Sequence, residues 1–214
     1  MIRLLQIGME YNGLIAGLGN PGRKYRNTRH NFGFAVVQTL IERGSRFGEV
    51  SSIERSRRYT LHSWRPTEGM RWLLTQPCTY MNRSGEPLSL VSHKFGIPPQ
   101  HLLVAHDDLD LPFGRIRLKF DSGLAGHNGL RSIADQLGTK AFYRLRMGIG
   151  RSGPRTGSGA NYVLSSFSSE EKAILPDILA EAEKGIRLFC SDGPERAMNR
   201  IHRLDRSFFE MDRS

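Results

Sequence analysis

The residues able to do chemistry fall in a few short stretches. Leu14-Ile15-Ala16 leads through a glycine-rich turn to Asn20, Tyr25 and His30. Arg71 to Gln76 leads to Cys78, Tyr80, Met81 and Asn82, and Leu102 to Ala105 leads to His106, Asp107, Asp108 and Asp110. A loop with three glycines, from Asp121 to Gly129, carries His127 and Asn128. Imidazole is the side chain whose ordinary titration lies near neutral pH, so His30 is the natural candidate to take a proton from water. Such a base works when a carboxylate holds one tautomer and stabilises the cation. Amides donate and accept without charge, so Asn20, Asn82 and Asn128 can meet polar substrate groups of either kind. Arg23, Lys24, Arg26 and Arg29 around the imidazole suit an anionic substrate.

Each assignment has a plainer competitor. His30 could cap or pack near the first helix, and Asn20, which precedes Pro21, could be a turn residue. Met81 reads as packing. Tyr25 and Tyr80 could wall a cleft or stack on a base, where stacking is worth ~1–3 kcal/mol per base. Gly17-Leu18-Gly19-Asn20-Pro21-Gly22 fits the dinucleotide fingerprint by letter, but polar, basic residues follow where an apolar helix should begin. His106, Asp107, Asp108, Asp110 and His127 could be read as a metal site, although their spacing has no standard pattern. The expectation is therefore no metal and no cofactor.

These stretches need a frame that presents them. Leu14 to Ala16, Arg71 to Gln76 and Leu102 to Ala105 read as strands, the last apolar on both faces and so central. Tyr59 to Trp64 reads as an edge strand within an unassigned segment from Ser45 to Thr67. Arg115 to Phe120 alternates cations with apolar groups, and Arg144 to Gly150 reads as a further strand with outward arginines. Helices are expected from Phe34 to Arg43 with Gly44 as a stop, over Pro87 to Phe95 with Ser84 as a cap, and over Leu130 to Leu137. Ser168-Ser169-Glu170-Glu171 is a capping box for a long helix using Ile174, Leu175, Ile178, Leu179 and Ala182, with a kink at Pro176. Arg151 to Ala160 reads as a mobile loop. Open α/β sheets hold ligands at the carboxyl ends of strands, which is where the amides and carboxylates fall.

The chain has 214 residues, 38% of them hydrophobic, enough for one α/β domain with a real core. That domain is expected over 13–204, with an N-terminal extension at 1–12, where Met9 is an alternative start, and a charged tail at 205–214 that frays. A formal net charge of +10 favours a polyanionic partner over a small neutral substrate, although a basic surface can also be idle. Cys78 and Cys190, the only cysteines, fit inert buried thiols in a reducing cytoplasm. No apolar run approaches the ~20 residues that span a bilayer, and no membrane partner is expected.

Taken together these residues resemble bacterial-type peptidyl-tRNA hydrolases from Leu14 to His202. The matching motifs are Gly17-Leu18-Gly19-Asn20-Pro21-Gly22, Thr28-Arg29-His30-Asn31, Tyr80-Met81-Asn82-x-Ser84-Gly85, His106-Asp107-Asp108-Leu109-Asp110, Gly126-His127-Asn128-Gly129-Leu130 and Arg144-Leu145-Arg146-x-Gly148-Ile149-Gly150. The resemblance implies a monomeric single-domain α/β fold with a mixed, mostly parallel twisted sheet flanked by helices. It implies hydrolysis of the ester joining a peptide to the terminal ribose of tRNA, which recycles tRNA in the cytoplasm. By resemblance Asp107 orients His30 as a His/Asp dyad acting on water, and Asn20 separates peptidyl-tRNA from aminoacyl-tRNA. Asn82 and Asn128 would hold the 3′ CCA end, with Tyr25, Tyr80, Met81 and His127 lining the site. Arg117, Lys119 and Arg146 would grip phosphates of the acceptor stem. A catalytically silent RNA-binding protein on the same scaffold is the competing class. The loop Asp121-Ser122-Gly123-Leu124-Ala125 is poorer in glycine than the family's usual one.

Overall fold

The short apolar runs become the centre of one seven-stranded sheet. A computed structural model of the chain describes residues 10–151 and 159–210. The alternative starts, most of the Arg151 to Ala160 loop and the last residues of the tail lie outside them. In chain order the elements are β1 (Gly13–Gly17), α1 (Phe32–Arg46), β2 (Val50–Arg55), β3 (Tyr59–Trp64), β4 (Trp72–Pro77), α2 (Gly85–Lys94), β5 (Leu102–Asp108), β6 (Ile116–Phe120), α3 (Asn128–Leu137), β7 (Tyr143–Gly148), α4 (Gly159–Val163), α5 (Ser169–Asp192) and α6 (Pro194–Glu210).

The strand order is β2-β3-β4-β1-β5-β7-β6. β4, β1, β5 and β7 are parallel neighbours, while β2, β3 and β6 attach by antiparallel pairing. Side chains alternate across a strand. Ile15 of β1 therefore meets the core shared with α1, α5 and α6, while Leu14 and Ala16 meet the core shared with α2 and α3. After β4 the chain passes over β1 and continues on its other side as β5. That reversal leaves a crevice at the carboxyl ends of β4, β1 and β5, the place where open sheets bind ligands.

Two glycines bring α1 down onto this crevice. A Cβ on Gly33 would lie 2.2 Å from the Ala105 carbonyl oxygen, and one on Gly17 would lie 2.2 Å from the Gly33 carbonyl oxygen. Only hydrogen fits, so the turn Arg29–Asn31 that opens α1 lies against the end of β5. Leu18 N donates to the Ala105 carbonyl at 2.9 Å, and Phe34 N to the Leu18 carbonyl at 3.0 Å.

Several expected details differ. β3 is not an edge strand: it pairs with β2 and β4, and the polar segment left unassigned supplies the edge. Gly44 does not stop α1 but lies inside it, buried, where a Cβ would meet Val50 at 2.6 Å. Ser84 makes no capping bond, and Ser132 Oγ instead accepts from Gly85 N at 3.0 Å. Arg144 points inward, not outward. It is fully buried over the Phe142 ring, and donates to Ser122 Oγ and the Lys140 carbonyl. The Ser168 capping box forms as expected and α5 is assigned unbroken through Pro176, but Ile174 is exposed. Ala160 belongs to α4, and the chain after Ile201 continues as helix to Glu210.

Because the approach at Gly33 leaves no room for a methyl group, Gly33→Ala is expected to lower the unfolding free energy by about 1–3 kcal/mol. Urea midpoints check this, and an unchanged midpoint would show that α1 can stand off the sheet.

Candidate active site

A cavity of ≈ 660 Å³ opens at the crevice, lined among others by Asn20, His30, Tyr80, Met81, Asn82, Asp107, His127 and Asn128. Each of the three strand ends contributes. The β1 loop supplies Asn20, the β4 loop supplies Tyr80 to Asn82, and β5 supplies Asp107 directly. The turn before α1 adds His30, and the start of α3 adds His127 and Asn128.

Asn20 is held from three sides. Asn31 accepts from its backbone N at 2.8 Å and donates to its carbonyl at 3.0 Å, while the Asn20 Oδ1 accepts from Met81 N at 2.8 Å. With Oδ1 committed, Nδ2 is the donor left to the cavity. This amide is therefore a strut between two strand ends as well as a lining group, more than the turn residue it could have been.

The Asp107 carboxylate is buried and lies between two imidazoles. His30 Nδ1 is 2.9 Å from its Oδ1 and 3.0 Å from its Oδ2, and His127 Nε2 is 3.1 Å from Oδ1. The other nitrogen of His127, Nδ1, accepts from the backbone N–H of Gly129 and Leu130 at the start of α3. With Nδ1 committed as an acceptor, the proton of the neutral ring sits on Nε2 and points at Asp107. Burial works against ionising Asp107, but the His127 and His30 imidazoles outweigh it and hold its carboxyl well below the usual carboxylate range. Behind them His106 is fully buried, edge-on to His127 at 5.0 Å, with Nδ1 2.7 Å from the Asp107 carbonyl oxygen. Burial first, then the His127 ring, push its imidazole down to about 3.

Could these groups hold a metal? Ligand atoms of His30, Asp107 and His127 lie within 4.8 Å of one another. A cation on His127 Nε2 would move that ring's proton to Nδ1, against two backbone N–H groups at a helix N-terminus, where positive charge is disfavoured. The donor set fits shared protons rather than an ion. The wider metal grouping from the sequence also disperses. His106 faces the backbone, Asp108 pairs with Arg146 at 2.6 Å, and Asp110 pairs with Arg151.

Of the expected lining residues, Met81 is buried, and Tyr80 is exposed and meets Tyr25 edge-to-face at 6.5 Å; Tyr25 itself does not line the cavity. Arg117 and Arg146 face each other across β6 and β7, and Lys119 is exposed on the same face; none of the three reaches the cavity. In the glycine-poor loop, Asp121 and Ala125 take the left-handed backbone at φ 40 and φ 47 that glycine favours. Sequence reasoning missed the wall formed by Gly159, Ala160, Val163 and Leu164, for which no local pattern gives a signal. Both cysteines are free thiols pushed up by burial, in keeping with inertness. Among the described residues no helix is long and apolar enough to cross a membrane.

The comparisons with known proteins agree with one another. The sequence pattern of the family described as "Peptidyl-tRNA hydrolase" matches residues 14–208. The peptidyl-tRNA hydrolase of Oleidesulfovibrio alaskensis is 43% identical over 201 residues, covering 92% of this chain and 99% of that one. That of Chloroflexus aggregans is 44% identical over 192 residues, 89% of this chain and 99% of its own. The crystal structure of peptidyl-tRNA hydrolase from Acinetobacter baumannii superposes with a TM-score of 0.80 at 35% identity, over 91% of this chain and 97% of that one.

An unfolded His106 ring takes a proton below about pH 6.5, whereas the folded one does so only at about 3. Between those values the unfolded state binds more protons, so stability falls as the pH is lowered through that window. His106→Asn, which keeps a donor for the Asp107 carbonyl, is expected to flatten the fall. Urea unfolding at about pH 4.5 and about pH 7 measures it, and an unaltered slope would show that the folded ring is already charged.

Proposed function

The chain belongs to the peptidyl-tRNA hydrolase family and hydrolyses peptidyl-tRNA, and from that premise we propose that His30 is the base that activates the attacking water. The observation that carries this reading is the buried Asp107 carboxylate bonded to His30 Nδ1 at the edge of the cavity. With the Nδ1 proton directed at Asp107, the lone pair of the neutral ring is on Nε2. That nitrogen takes a proton from water, and the hydroxide oxygen adds to the ester carbonyl carbon. Asp107 stabilises the imidazolium so formed. The charge gathering on the carbonyl oxygen meets amide donors, with Asn20 Nδ2 already fixed by its Oδ1 bond to Met81. Collapse breaks the bond to the ribose oxygen, which leaves with the proton held by His30 Nε2. Free peptide and reusable tRNA are the products, and no cofactor enters.

Asn82 and Asn128 hold the 3′ end against the cavity wall, with Met81 packed beneath. Tyr80, braced by Tyr25, offers a face for the terminal adenine. Arg117, Lys119 and Arg146 meet phosphates of the acceptor stem, so recognition rests on charge and shape more than on base edges. The chain acts as a monomer in the cytoplasm.

Release of an N-acetyl-aminoacyl group from tRNA tests the dyad. His30→Ala is expected to lower kcat by about 10²–10⁴-fold, and Asp107→Asn by about 10⁴-fold through the wrong tautomer, while tRNA binding persists in both. A wild type that binds tRNA and never cleaves it would favour the silent RNA-binding scaffold. Lys119→Ala should leave kcat unchanged and flatten the dependence of log affinity on log salt by about one unit; an unaltered slope removes Lys119 from the phosphate contacts.

A further inference from the structure

Arg29 precedes the base in sequence but does not line the cavity. Its side chain is buried, 8% exposed, and its guanidinium reaches across 136 to 142 residues of chain. Nη1 donates to Ser165 Oγ at 2.7 Å and to the Ser166 carbonyl, and Nη2 donates to Glu171 Oε2. Arg29 N donates to the Ser165 carbonyl at 3.0 Å, Thr28 forms a β-bridge with Ser166, and the guanidinium lies 4.4 Å from the centre of the Tyr162 ring. Glu171 is itself fixed, accepting from Ser168 N within the capping box of α5.

What these bonds hold is a wall of the cleft. Gly159, Ala160, Val163 and Leu164 line the cavity, yet α4 buries none of its residues. Only Tyr162 and Val163 pack against the core, and both only partly, so polar anchors share in setting its place. Tyr162 Oη donates to the Ile149 carbonyl at 2.7 Å, Ser165 Oγ to the Tyr162 carbonyl at 2.7 Å, and Arg29 then ties Ser165 and Ser166 to the turn before α1. A planar guanidinium holds its acceptors in one fixed fork, whereas an ammonium offers its three donors from a single point on a flexible stem, and the burial of Arg29 is tolerable only because those acceptors meet it.

We propose that Arg29 is a positioning residue for ester hydrolysis, fastening the wall built from residues 159–164 to the turn that presents His30 so that base and wall keep one spacing. This role rests on the assignment of His30 as the base. Substrate phosphate is not its ligand, since the acceptors on its two terminal nitrogens lie within the fold.

The test compares Arg29→Lys, Arg29→Gln and Glu171→Gln with wild type, well below each variant's melting temperature. Misplacing a catalytic group by about 1 Å can cost about a hundredfold, so both Arg29 variants are expected to lose about 10- to 100-fold in kcat with KM within about threefold. The ring ¹⁵N signals of His30 should shift in the folded variants. A merely structural role would lower kcat only in proportion to the folded fraction and leave those signals in place, and that result would overturn the assignment. So would kcat within about twofold of wild type in folded Arg29 variants. Should Arg29→Gln fail to fold, Glu171→Gln, which spares the bonds to Ser165 and Ser166, is expected to show the same loss at smaller size. His30→Ala in the same assay separates the two readings. If it retains activity, the base is misassigned; if it is inactive while the Arg29 variants match wild type, only the fastening role falls.

Discussion

The buried negative charge of Asp107 governs the architecture around the cleft. A carboxylate taken out of water is costly unless its lone pairs are met, and Asp107, 3% exposed, is met by imidazoles from two other segments. His30 can reach it only because the sheet and its first helix approach without side chains between them, at Gly17 and Gly33. The start of α3 then decides which nitrogen of His127 faces the carboxylate. One charge thus ties the turn before α1, the end of β5 and the first residues of α3 into a common geometry, and that geometry leaves one imidazole nitrogen of His30 uncommitted.

The basic face is organised differently. Alternation of cations along β6 and β7 suggests a broad strip, but the fold consumes part of it. Arg144 serves the interior, and Arg146 shares its guanidinium with the fold through Nε, which donates to Asp108 at 2.6 Å. Lys119 is exposed. Net charge therefore overstates how much of this face is available to a polyanion.

Much of this was legible in the sequence, for physical reasons. β1, β4 and β5 are apolar runs of strand length, and α3 has apolar residues at helical spacing behind a loop, so local pattern suffices for them. The segments carrying Asn20, Tyr80 and Asp107 follow those strands and share one crevice because parallel strands end on the same side. The failures occurred where distant contacts decide. β2 is polar and becomes a strand only because β3 offers it an edge. Arg144 looked outward by alternation, yet Ser122, from 22 residues upstream, joins the nearby Phe142 and Lys140 in meeting it. Ser84 had the right type and place for a cap, but Ser132 from α3 takes the bond. The cavity wall at 159–164 is set by Arg29, and nothing local in either stretch announces the other.

That last separation has a consequence for how the molecule comes into being. His30 and Asp107 lie in the first half of the chain, while the segment enclosing them lies in the final third. A copy whose synthesis halts between those points is itself esterified to tRNA, and it holds the imidazole and the carboxylate without the enclosure. The cleft is thus completed late on the ribosome, after most of the polypeptide that forms it has already been made.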